Sequence, residues 1–519
     1  MAAALEVELK LVGDPSELSA AFENLSGDPP IRQTLLSTYY DTPEGHLRRR
    51  GFALRVREES GSRELTLKQD RGDGLTRGEW TSPMDGPSVD LDILPRHAPR
   101  DALGISDPAA LEPKFLTEIE RSKKETRTGD AWVEVCLDTG RIVAGDRQEP
   151  VEELEFELLN GPVTDMLSGV RSVLGERCLS IGTRSKAERG MDLSRGASPV
   201  AVRGTKVYLD ASDTVDRALA KVARATSMQL MGNLAPIVEA SDAEGVHQLR
   251  VSLRRLRSAL LFFKDHLGSR AAELNVEGRR ALKRLGPARD FDVFLLETLP
   301  PVIDANVEEF ALLRLRKGAE DRRRPAYEDV HRLIADPRFN RFLLDLMCVA
   351  ESGGLVVRQA DEPLTATATR MLARRYRALM KSGRSFDGLA EPQRHRVRIA
   401  LKKLRYACEY SRTLFPDPAT GAYLRCLSEL QDDLGRMNDA AVARWISLDV
   451  AGDDPDIAAG ASLVGDWSGR WARSAEPRLR KTWLKFAETK PFWQASEQTG
   501  AQRTAVPPHS APEQEQRQQ

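Results

Sequence analysis

The sequence predicts an α+β protein in which an antiparallel β domain precedes an all-α domain built from a duplicated helical unit. Up to about residue 195, apolar and polar residues alternate with a period of two between Gly, Pro and Asp turns. From Thr214 onward, long stretches rich in Leu, Ala, Arg and Glu are typical of helices. Two helical segments, 247–257 and 395–405, repeat the same residue pattern at an offset of 148 residues. This repeat indicates a duplicated unit.

The composition describes a large, charge-rich globular chain. Its 519 residues are 41% hydrophobic and 30% charged, enough apolar material for roughly three domains with their own cores. The five cysteines lie far apart without a C-x-x-C pair, which excludes a disulfide framework and a thiolate zinc site. Glu6 precedes any apolar signal region, and the apolar run at 260–263 is too short to cross a membrane. We therefore expect a cytoplasmic protein with no membrane partner.

The net charge conceals two parts of opposite sign. The formal charge of -1 comes from 77 basic and 78 acidic residues and, taken alone, argues against a polyanionic ligand. Residues 1–200 carry a net charge of -10, whereas residues 201–519 carry +9. The basic part is therefore a candidate for binding a polyanion.

The N-terminal part is predicted to consist of antiparallel strands and two helices. Alternation predicts strands at 5–11, 53–57, 64–68, 132–138 and 153–159. Apolar residues at spacings of three and four, with Asp or Pro near the start, predict helices over 16–24 and 163–174. The rest of this part, up to about residue 195, is expected to be strand and turn.

Shifts in composition predict the domain limits. The predicted segments are a β domain (1–195), a linker of small residues (196–210), a helical domain (211–498) with repeats at about 211–350 and 363–490, and a disordered tail (499–519). Pro and Gly clusters divide the helical domain into about eight or more helices. The expected breaks lie near residues 286, 300, 353, 383 and 416.

Charged residues of both signs occupy one face of the predicted strands. In the first strand, Glu6, Glu8 and Lys10 share one face, and Val7 and Leu9 share the other. The other strands carry the same kind of face, with Arg55, Arg57, Glu64, Lys68, Arg77, Glu79, Arg121, Lys123, Glu134, Asp138, Glu153, Glu155 and Glu157. One such strand is ordinarily a solvated face. The full set favours a closed antiparallel barrel with a charged lumen.

A lumen of this composition requires ligands of both signs. Crowded carboxylates repel one another at neutral pH unless a hard divalent cation bridges them, and oxygen-only donors favour Mg²⁺ or Mn²⁺ over zinc. The Arg and Lys residues require an anion with several negative oxygens. A polyphosphate meets that requirement.

An ordered series of motifs runs through the N-terminal part. The motifs are E-x-E-x-K at 6–10, TYYDT at 38–42, L-x-x-x-G-x-x-L-R-x-R at 47–57, LTLK at 65–68, RGE at 77–79, Arg121, Glu134 with Asp138, ELEFE at 153–157 and SK at 185–186. With these motifs in this order, about residues 4–192 resemble the CYTH family of triphosphate tunnel metalloenzymes. The resemblance implies an eight-stranded β tunnel that hydrolyses a triphosphate with a divalent metal.

The same resemblance implies roles for individual residues. Metal binding is implied for Glu6, Glu8, Asp138, Glu153, Glu155 and Glu157. Triphosphate binding is implied for Lys10, Arg55, Arg57, Lys68, Arg121 and Lys186. Catalysis is assigned to Glu6, Glu8 and Lys10, whereas Asp41 and Glu79 are given supporting, structural roles. Which of Glu153, Glu155 and Glu157 bind metal stays open, with the first two preferred.

Two basic helix faces distinguish the helical part. The first carries His247, Arg250, Arg254 and Arg257 at positions i, i+3, i+7 and i+10, and the second carries His395, Arg398, Lys402 and Arg405. Neither segment contains an acidic residue, whereas a solvated face normally includes Glu for i,i+4 pairing. More basic residues precede each face, at Arg217, Lys221, Arg224, Arg370, Arg374, Arg377 and Lys381. Together they predict a basic groove about a pseudo-two-fold axis that binds a polyanion.

The paired His helices, placed after a tunnel domain, are similar to the CHAD family, an all-α module often fused after a CYTH domain. The resemblance implies inorganic polyphosphate as the partner. Metal chelation by the histidines is disfavoured because each helix has one His and no Cys, Asp or Glu at ligand spacing. The repeats differ where RDFD at 289–292 corresponds to NDAA at 438–441. Asp290, Asp292 and Asp439 are assigned to packing or ion pairs.

Three functional hypotheses remain at this point. The favoured one is metal-dependent hydrolysis of inorganic triphosphate in the tunnel, with polyphosphate bound by the helices and the protein associated with polyphosphate granules. The first alternative is a polyphosphate-binding protein with little hydrolase activity. The second is an enzyme like the class IV adenylate cyclases, for which no adenine pocket is recognisable in the sequence. Nucleic acid is disfavoured as a ligand because no aromatic residue interleaves the basic faces.

Overall fold

The structure is a computed structural model that describes residues 4–72, 74–86, 88–105, 107–306, 309–358, 362–384, 386–415 and 418–494. Two compact units make up the chain. The first comprises 1–207, 215–359 and 446–461, and the second comprises 208–214, 360–445 and 462–519. The β domain and the first helical repeat thus belong to one unit. The predicted disordered tail, 499–519, lies outside the described residues.

Nine strands of the first unit form one antiparallel sheet. They are β1 (Ala4–Gly13), β2 (Ile31–Asp41), β3 (Phe52–Glu59), β4 (Ser62–Asp70), β5 (Thr76–Pro83), β6 (Glu112–Thr128), β7 (Ala131–Ala144), β8 (Arg147–Asn160) and β9 (Leu179–Gly182). The strand order is β5-β4-β3-β2-β6-β7-β8-β1, and β1 also pairs with β5. This pairing closes the predicted eight-stranded antiparallel barrel, which is confirmed.

Strand β1 changes its partner along its length. Residues 4–7 pair with β5, whereas residues 10–13 pair with the short strand β9 on the same edge. The other edge of β1 pairs with β8 throughout its second half. Strand β9 therefore borders the barrel at the end where β1 finishes.

Five helices accompany the barrel. They are α1 (Pro15–Glu23), α2 (His46–Arg49), α3 (Arg100–Leu103), α4 (Val163–Leu174) and α5 (Lys186–Arg195). The helices predicted over 16–24 and 163–174 are confirmed as α1 and α4. Helix α1 begins as expected for its sequence, because the Asp14 side chain accepts from the Ser16 N–H and Pro15 occupies the first helical position.

The prediction of strand and turn for the rest of the N-terminal part is wrong at the short helices α2 and α3 and at α5. Ser185 and Glu188 form a capping box in which each side chain accepts a hydrogen bond from the other residue's backbone N–H. This reciprocal cap satisfies two N–H groups that the first turn leaves unpaired, and it fixes where the helix begins. Lys186 is the first residue of α5.

The apolar core of the barrel lies largely outside its wall. Buried residues of β3, β4 and β5 pack against the segment that follows β5. The cluster comprises Leu47, Phe52, Leu54, Val56, Leu65, Leu67, Trp80, Met84, Leu91, Leu94, Ala98 and Leu103. Because the apolar side chains of these alternating strands face outward, their charged neighbours face the lumen.

Eleven helices follow the barrel within the described residues. They are α6 (Val215–Met231), α7 (Leu234–Ala240), α8 (Ala243–Phe262), α9 (Ser269–Val293), α10 (Leu299–Asp304), α11 (Phe310–Ile334), α12 (Pro337–Ser352), α13 (Leu364–Ser382), α14 (Glu391–Ser411), α15 (Pro418–Ala451) and α16 (Pro455–Glu488). The prediction of about eight or more helices is confirmed. Residues 196–214 join α5 to α6 without helix or strand.

The helix break predicted near residue 286 is wrong. Helix α9 runs through Gly286 and Pro287, although Pro removes one backbone donor from the helix. The neighbouring Leu285 and Ala288 are both buried, so tertiary packing outweighs the weak local helix propensity. The breaks near 353 and 383 agree with the ends of α12 and α13.

The second unit has an aromatic core of its own. Tyr376, Tyr423, Phe486, Phe492 and Trp493 lie with ring centroids 4.9–6.3 Å apart, mostly edge to face. Such pairs stabilise a core beyond the area that they bury. Among the described helices of the whole chain, none is long and apolar enough to span a membrane.

Candidate functional site

A single cavity collects the residues that the sequence predicts for the tunnel. Its volume is about 820 Å³, within the range of ligand-binding cavities in proteins. Of the twelve predicted tunnel residues, eleven line it: Glu6, Glu8, Lys10, Arg55, Arg57, Lys68, Arg121, Asp138, Glu155, Glu157 and Lys186. The twelfth, Glu153, is fully buried beside Lys10 and Lys186.

Lys10 forms ion pairs with three carboxylates inside the lumen. Its Nζ lies 2.9 Å from a carboxylate oxygen of Glu155, 3.1 Å from one of Glu8 and 3.2 Å from one of Glu153. Burial alone would lower the pKa of Lys10, but these three carboxylates outweigh it and hold the pKa well above the usual range. Lys10 is therefore a fixed positive charge inside the barrel.

Three carboxylates of β7 and β8 form the acidic triad, defined as Asp138, Glu153 and Glu155. One oxygen from each lies within 4.8 Å of the others. Asp138 is opposite Glu153 in the pairing of β7 with β8, and Glu155 is two residues further along the same face. Only oxygen atoms are offered here, and such donors suit a hard divalent cation.

Cations surround the acidic triad on the lumen side. Arg121 donates to Asp138 from Nε at 2.7 Å and from Nη2 at 2.6 Å, and to Glu155 from Nη2 at 2.6 Å. Lys186 Nζ lies 2.6 Å from Asp138 and 3.0 Å from Glu155. Together, Lys10, Arg121 and Lys186 hold the pKa of Glu155 well below its usual range, although burial opposes them. Glu155 is thus held in its ionised form.

The six predicted metal ligands fall into two groups. Glu6 accepts from Lys68 at 2.8 Å through both oxygens, and Glu8 accepts from Arg77 at 2.8 Å. Glu157 lies opposite Glu8, and burial together with the Glu6 carboxylate raises its pKa to about 7. The structure therefore brings Asp138, Glu153 and Glu155 together, and it places Glu6, Glu8 and Glu157 further toward the end where β1 begins.

Of the two lumen arginines of β3, Arg57 is the less neutralised, because Tyr39 and Glu79 raise the pKa of Arg55 despite its burial. Arg55 is 3.6 Å from Glu79, and Arg57 is 3.8 Å from Glu64. Both Nε atoms are buried and have no hydrogen-bond partner among the described residues. Burial, followed by the nearby Arg55 and Arg121 charges, lowers the pKa of Arg57 to about 10. Buried guanidinium groups with unmet donors are suited to an anionic ligand.

Strand order places these two sets of charges on opposite walls. In the closed eight-stranded barrel, β3 and β8 are four positions apart. Strands separated by half the barrel face each other across the lumen. Arg55 and Arg57 of β3 therefore face the carboxylates of β8. The lumen is sorted into an acidic wall and a basic wall.

The cavity continues beyond the barrel at the end where β1 finishes. There it is lined by the linker and by the first helices after it. The side chains include Val200 and Val202 of the linker, Met228 and Met231 of α6, and Pro236 of α7. This part of the cavity, the outer chamber, is largely apolar.

The basic face of α8 has a buried and an accessible part. Arg250 is only 9% exposed and donates from Nη1 to the Leu282 carbonyl of α9 at 3.1 Å. Arg257 donates from Nε to Asn275 at 3.0 Å. Arg254 is half-buried and forms no ion pair with any described residue. The sequence predicts the same role for these arginines, but the structure places them in different surroundings.

Like charges gather around His247 on this face. Burial lowers the pKa of His247, and the positive charges of Arg289 on α9 and Arg254 on α8 lower it further. Arg289 is also 2.9 Å from Glu297. The cluster of His247, Arg254 and Arg289 is defined here as the α8 cluster. It carries an excess of positive charge.

The second basic face lies on α14, in the second compact unit. Arg398 donates to Asn438 at 3.0 Å, and Arg405 donates to Gln431 at 2.8 Å and to Glu409 at 2.7 Å. His395 is exposed and Lys402 is half-buried. The groove predicted from both basic faces together stays a prediction.

Comparisons with known proteins assign both parts of the chain. A CYTH domain model matches residues 4–191, and a CHAD domain model matches residues 211–446. The chain carries a CYTH domain followed by a CHAD domain. The resemblance inferred from the sequence motifs is therefore confirmed for both domains.

Individual relatives cover the chain to different extents. An inorganic triphosphatase of Haemophilus influenzae is 31% identical over 196 residues, which are 36% of this chain and 54% of that protein. This chain therefore matches about half the length of that relative. An uncharacterized protein of Mycobacterium tuberculosis is 27% identical over 488 residues, 87% of this chain and 90% of its own. A crystal structure of the CHAD domain from the plant Ricinus communis is 26% identical, with a TM-score of 0.49, over 56% of this chain and 98% of its own.

Sequence reasoning missed two cations of the CYTH site. Arg77 of the RGE motif was not assigned, yet it pairs with Glu8. Arg189 of α5 contacts Glu153 at 3.4 Å and Glu149 at 2.6 Å. The S-x-x-E signature of a capping box at residue 185 predicts a helix there, and that helix would have carried Arg189 alongside Lys186.

Two acidic residues given supporting roles in the CYTH domain have different surroundings. Asp41 is buried and accepts from the backbone N–H groups of Thr42, Leu47 and Arg48, so it holds the start of α2 in place. Glu79 lines the cavity and is 3.4 Å from Lys68. Asp41 is therefore structural, whereas Glu79 belongs to the lumen. In the CHAD domain, the buried Asp292 has the expected ion pair, with Arg323 at 2.7 Å.

Proposed function

We propose that the CYTH barrel hydrolyses inorganic triphosphate with Mg²⁺ or Mn²⁺. The observation that carries this proposal is the sorting of the lumen into an acidic wall on β7 and β8 and a basic wall on β3. A triphosphate needs cations along all its oxygens, and a metal ion needs carboxylates. The identity with an inorganic triphosphatase over the CYTH part supports the same substrate.

The acidic triad is the proposed metal site. Asp138, Glu153 and Glu155 offer an all-oxygen donor set whose closest atoms lie within 4.8 Å, which fits a hard divalent ion. When bound, such an ion would supply charge neutralisation of the phosphoryl oxygens and a positioned water. Lys10, Arg121 and Lys186 lie against the same carboxylates and would then be shared with the substrate.

The basic residues are proposed to bind and orient the substrate. Arg55 and Arg57 have unmet buried donors, and Arg offers two parallel hydrogen bonds to a phosphate group. Lys68 lies on β4, the neighbour of β3, whereas Arg121 lies on β6 and contacts the acidic triad. Catalysis in this arrangement comes mainly from positioning and from charge stabilisation as the phosphoryl bond breaks. We assign Glu6, Glu8 and Lys10 to the part of the lumen in which the phosphoryl bond breaks.

Phosphate release by the purified full chain tests the hydrolase. We expect tripolyphosphate to be hydrolysed with Mg²⁺ or Mn²⁺ and not with excess chelator. Glu8→Ala and Lys10→Ala should each lower the rate by about 100-fold. Arg141→Ala is a matched control, because Arg141 pairs with Glu118 on an exposed part of the barrel. Full activity in both lumen variants would refute the proposal.

We also propose that the CHAD helices bind inorganic polyphosphate, which would associate the protein with polyphosphate granules in the cytoplasm. The α8 cluster and the basic face of α14 support this. Binding of long-chain polyphosphate to the full chain across a salt series tests it, with the proposed residues His247, Arg250, Arg254, Arg257, His395, Arg398, Lys402 and Arg405 substituted in turn. An ionic site loses affinity steeply with salt, so an affinity independent of salt would contradict it.

One observation favours a second candidate reaction in the barrel. The apolar outer chamber would accommodate an uncharged organic group attached to a triphosphate, as in a reaction like that of class IV adenylate cyclases. Formation of cyclic AMP from ATP would support this candidate. Consumption of tripolyphosphate without cyclic AMP formation would leave the hydrolase as the function of the site.

A further inference from the structure

The segment of β9 and α5, residues 179–195, lies between the lumen and the first CHAD helices, all within one compact unit. It carries Lys186, which contacts all three carboxylates of the acidic triad. It also lies against β1, the strand of Lys10. The segment is thus in contact with both lysines that neutralise the triad.

On its inner side, this segment presses directly on Lys10. Gly182 is paired with Lys10 in the β1–β9 register. A Cβ added at Gly182 would lie 2.7 Å from Cγ of Lys10 and 2.9 Å from a methyl carbon of Val12. Since no side chain fits there, the Gly182 backbone defines the course of the Lys10 side chain.

On its outer side, the segment is held by a buried asparagine of the CHAD domain. Asn340 of α12 is fully buried, and its Oδ1 accepts from the Ile181 N–H at 2.9 Å. Its Nδ2 donates to the carbonyls of Ile334 at 2.8 Å and Asp336 at 3.1 Å. All of its polar atoms are therefore used, and the amide ties β9 to the junction of α11 and α12.

A second CHAD contact holds the turn between β9 and α5. Arg184 donates from Nη1 to Glu239 of α7 at 2.7 Å. Its Nη2 donates to Asp192 at 2.6 Å, within α5. The guanidinium thus joins α7 to α5 two residues before Lys186.

We propose, on the basis of the hydrolase function above, that Asn340 and Glu239 are positioning residues for the lysines of the tunnel. Neither touches the lumen. They act through Ile181 and Arg184, which fix β9 and the start of α5. A displacement of about 1 Å at a reacting group can cost about 100-fold in rate. The CHAD domain therefore helps to hold the tunnel lysines in place, in addition to binding any ligand of its own.

Amide hydrogen exchange on the full chain tests the mechanical link without any substrate. Asn340→Ala should speed exchange in residues 179–195, because the Ile181 N–H loses its acceptor. Glu239→Gln, at a largely exposed position, should speed it less and should fold normally. Arg171→Ala is the matched control, since Arg171 of α4 pairs with Asp345 of α12 at 3.3 Å in another contact between the same two domains. Unchanged exchange in both test variants would overturn the proposal.

A double-mutant cycle on tripolyphosphate hydrolysis tests whether Asn340 and Glu239 affect catalysis through Lys186. We expect Asn340→Ala to lower kcat about 10-fold with a smaller change in KM, and Glu239→Gln about 3-fold. In the Lys186→Ala background, each should add less than 2-fold, because residues that act through one group are not additive. Fully additive losses, or an equal loss in Arg171→Ala, would mean a merely structural role. Absence of hydrolysis in the unmodified protein would refute the hydrolase, and exchange would then decide the positioning role alone.

Discussion

The barrel lumen and the basic face of α8 hold charged side chains in opposite ways. In the lumen both signs are enclosed together, and Lys10, Arg121 and Lys186 lie within about 3 Å of carboxylates. The α8 cluster places Arg254 and Arg289 beside His247 on a half-buried surface, where Glu297 pairs with Arg289 only. An enclosed site of mixed charge is suited to a small anion with its metal. A face with an excess of positive charge is suited to a long polyanion whose binding weakens as salt is added.

The lumen itself contains the same contrast on a smaller scale. The acidic triad has four cations against it, Lys10, Arg121, Lys186 and Arg189. Arg55 and Arg57 have carboxylates only at 3.6 and 3.8 Å. The carboxylates of the acidic wall are therefore paired at close range without ligand, whereas the arginines of the basic wall have only longer ion pairs. This difference predicts that replacing Arg57, whose pKa is lowered by folding, will affect stability in the opposite direction to replacing Glu155, whose charged form is stabilised.

The largest expected effect belongs to the acidic wall. Asp138→Asn removes a fully buried carboxylate that Arg121 and Lys186 both contact. We expect kcat for tripolyphosphate to fall by about 100-fold or more, and the metal concentration for half-maximal activity to rise. A metal titration of the rate measures both. Glu118→Gln, outside the lumen, serves as the control. An unchanged metal dependence in Asp138→Asn would show that the metal ion binds elsewhere.

The basic wall should respond with affinity rather than turnover. Arg57→Ala removes a buried charge with unmet donors, so we expect KM for tripolyphosphate to rise about 10-fold. Because folding lowers the pKa of Arg57 to about 10, the charged side chain destabilises the native state. The same variant should therefore raise the free energy of unfolding by about 1 kcal/mol. Urea unfolding measures this, and a lower stability would contradict the assignment.

On α8, the accessible arginine should matter for binding. Arg254→Ala is expected to weaken long-chain polyphosphate binding by about 3- to 10-fold, since it removes one ionic contact. Unfolding should be unchanged because Arg254 has no ion pair among the described residues. Binding isotherms at two salt concentrations check this. Equal affinity of the variant and the unmodified protein for polyphosphate at both salt concentrations would show that Arg254 is not part of the binding site.

The buried arginine of the same helix should show the smallest effect on binding and a measurable effect on stability. Arg250→Ala leaves the Leu282 carbonyl of α9 without this donor. We expect the free energy of unfolding to fall by about 1 kcal/mol. Thermal or urea unfolding checks it. A loss of affinity larger than that of Arg254→Ala, with stability unchanged, would reverse the two roles.

The strand faces could be predicted because alternation is a local property. Glu6, Glu8 and Lys10 share a face in any strand, whatever its partners. The division of the six predicted metal ligands could not be predicted, since it depends on the register that places Asp138 opposite Glu153 and Glu8 opposite Glu157. Register depends on how two strands pair, and the spacing of residues within each strand does not determine it.

The helical part shows the same limit of local patterns. The helical spacing placed Arg250 and Arg254 on one stripe, yet α9 covers only Arg250. The Gly286-Pro287 pair predicted a break that burial of the neighbouring side chains overrides. The start of α5 is the exception, because the capping-box residues Ser185 and Glu188 lie three positions apart in the sequence and predict a helix start without knowledge of the fold.

The sorted lumen is tested most directly by a crystal structure of the full chain with Mn²⁺ and a non-hydrolysable triphosphate. Anomalous scattering locates the Mn²⁺ independently of the phosphate oxygens. We expect Mn²⁺ bound by oxygens of Asp138, Glu153 and Glu155, with phosphate groups against Arg55 and Arg57. Mn²⁺ bound away from the triad, or a triphosphate outside the lumen, would contradict the account.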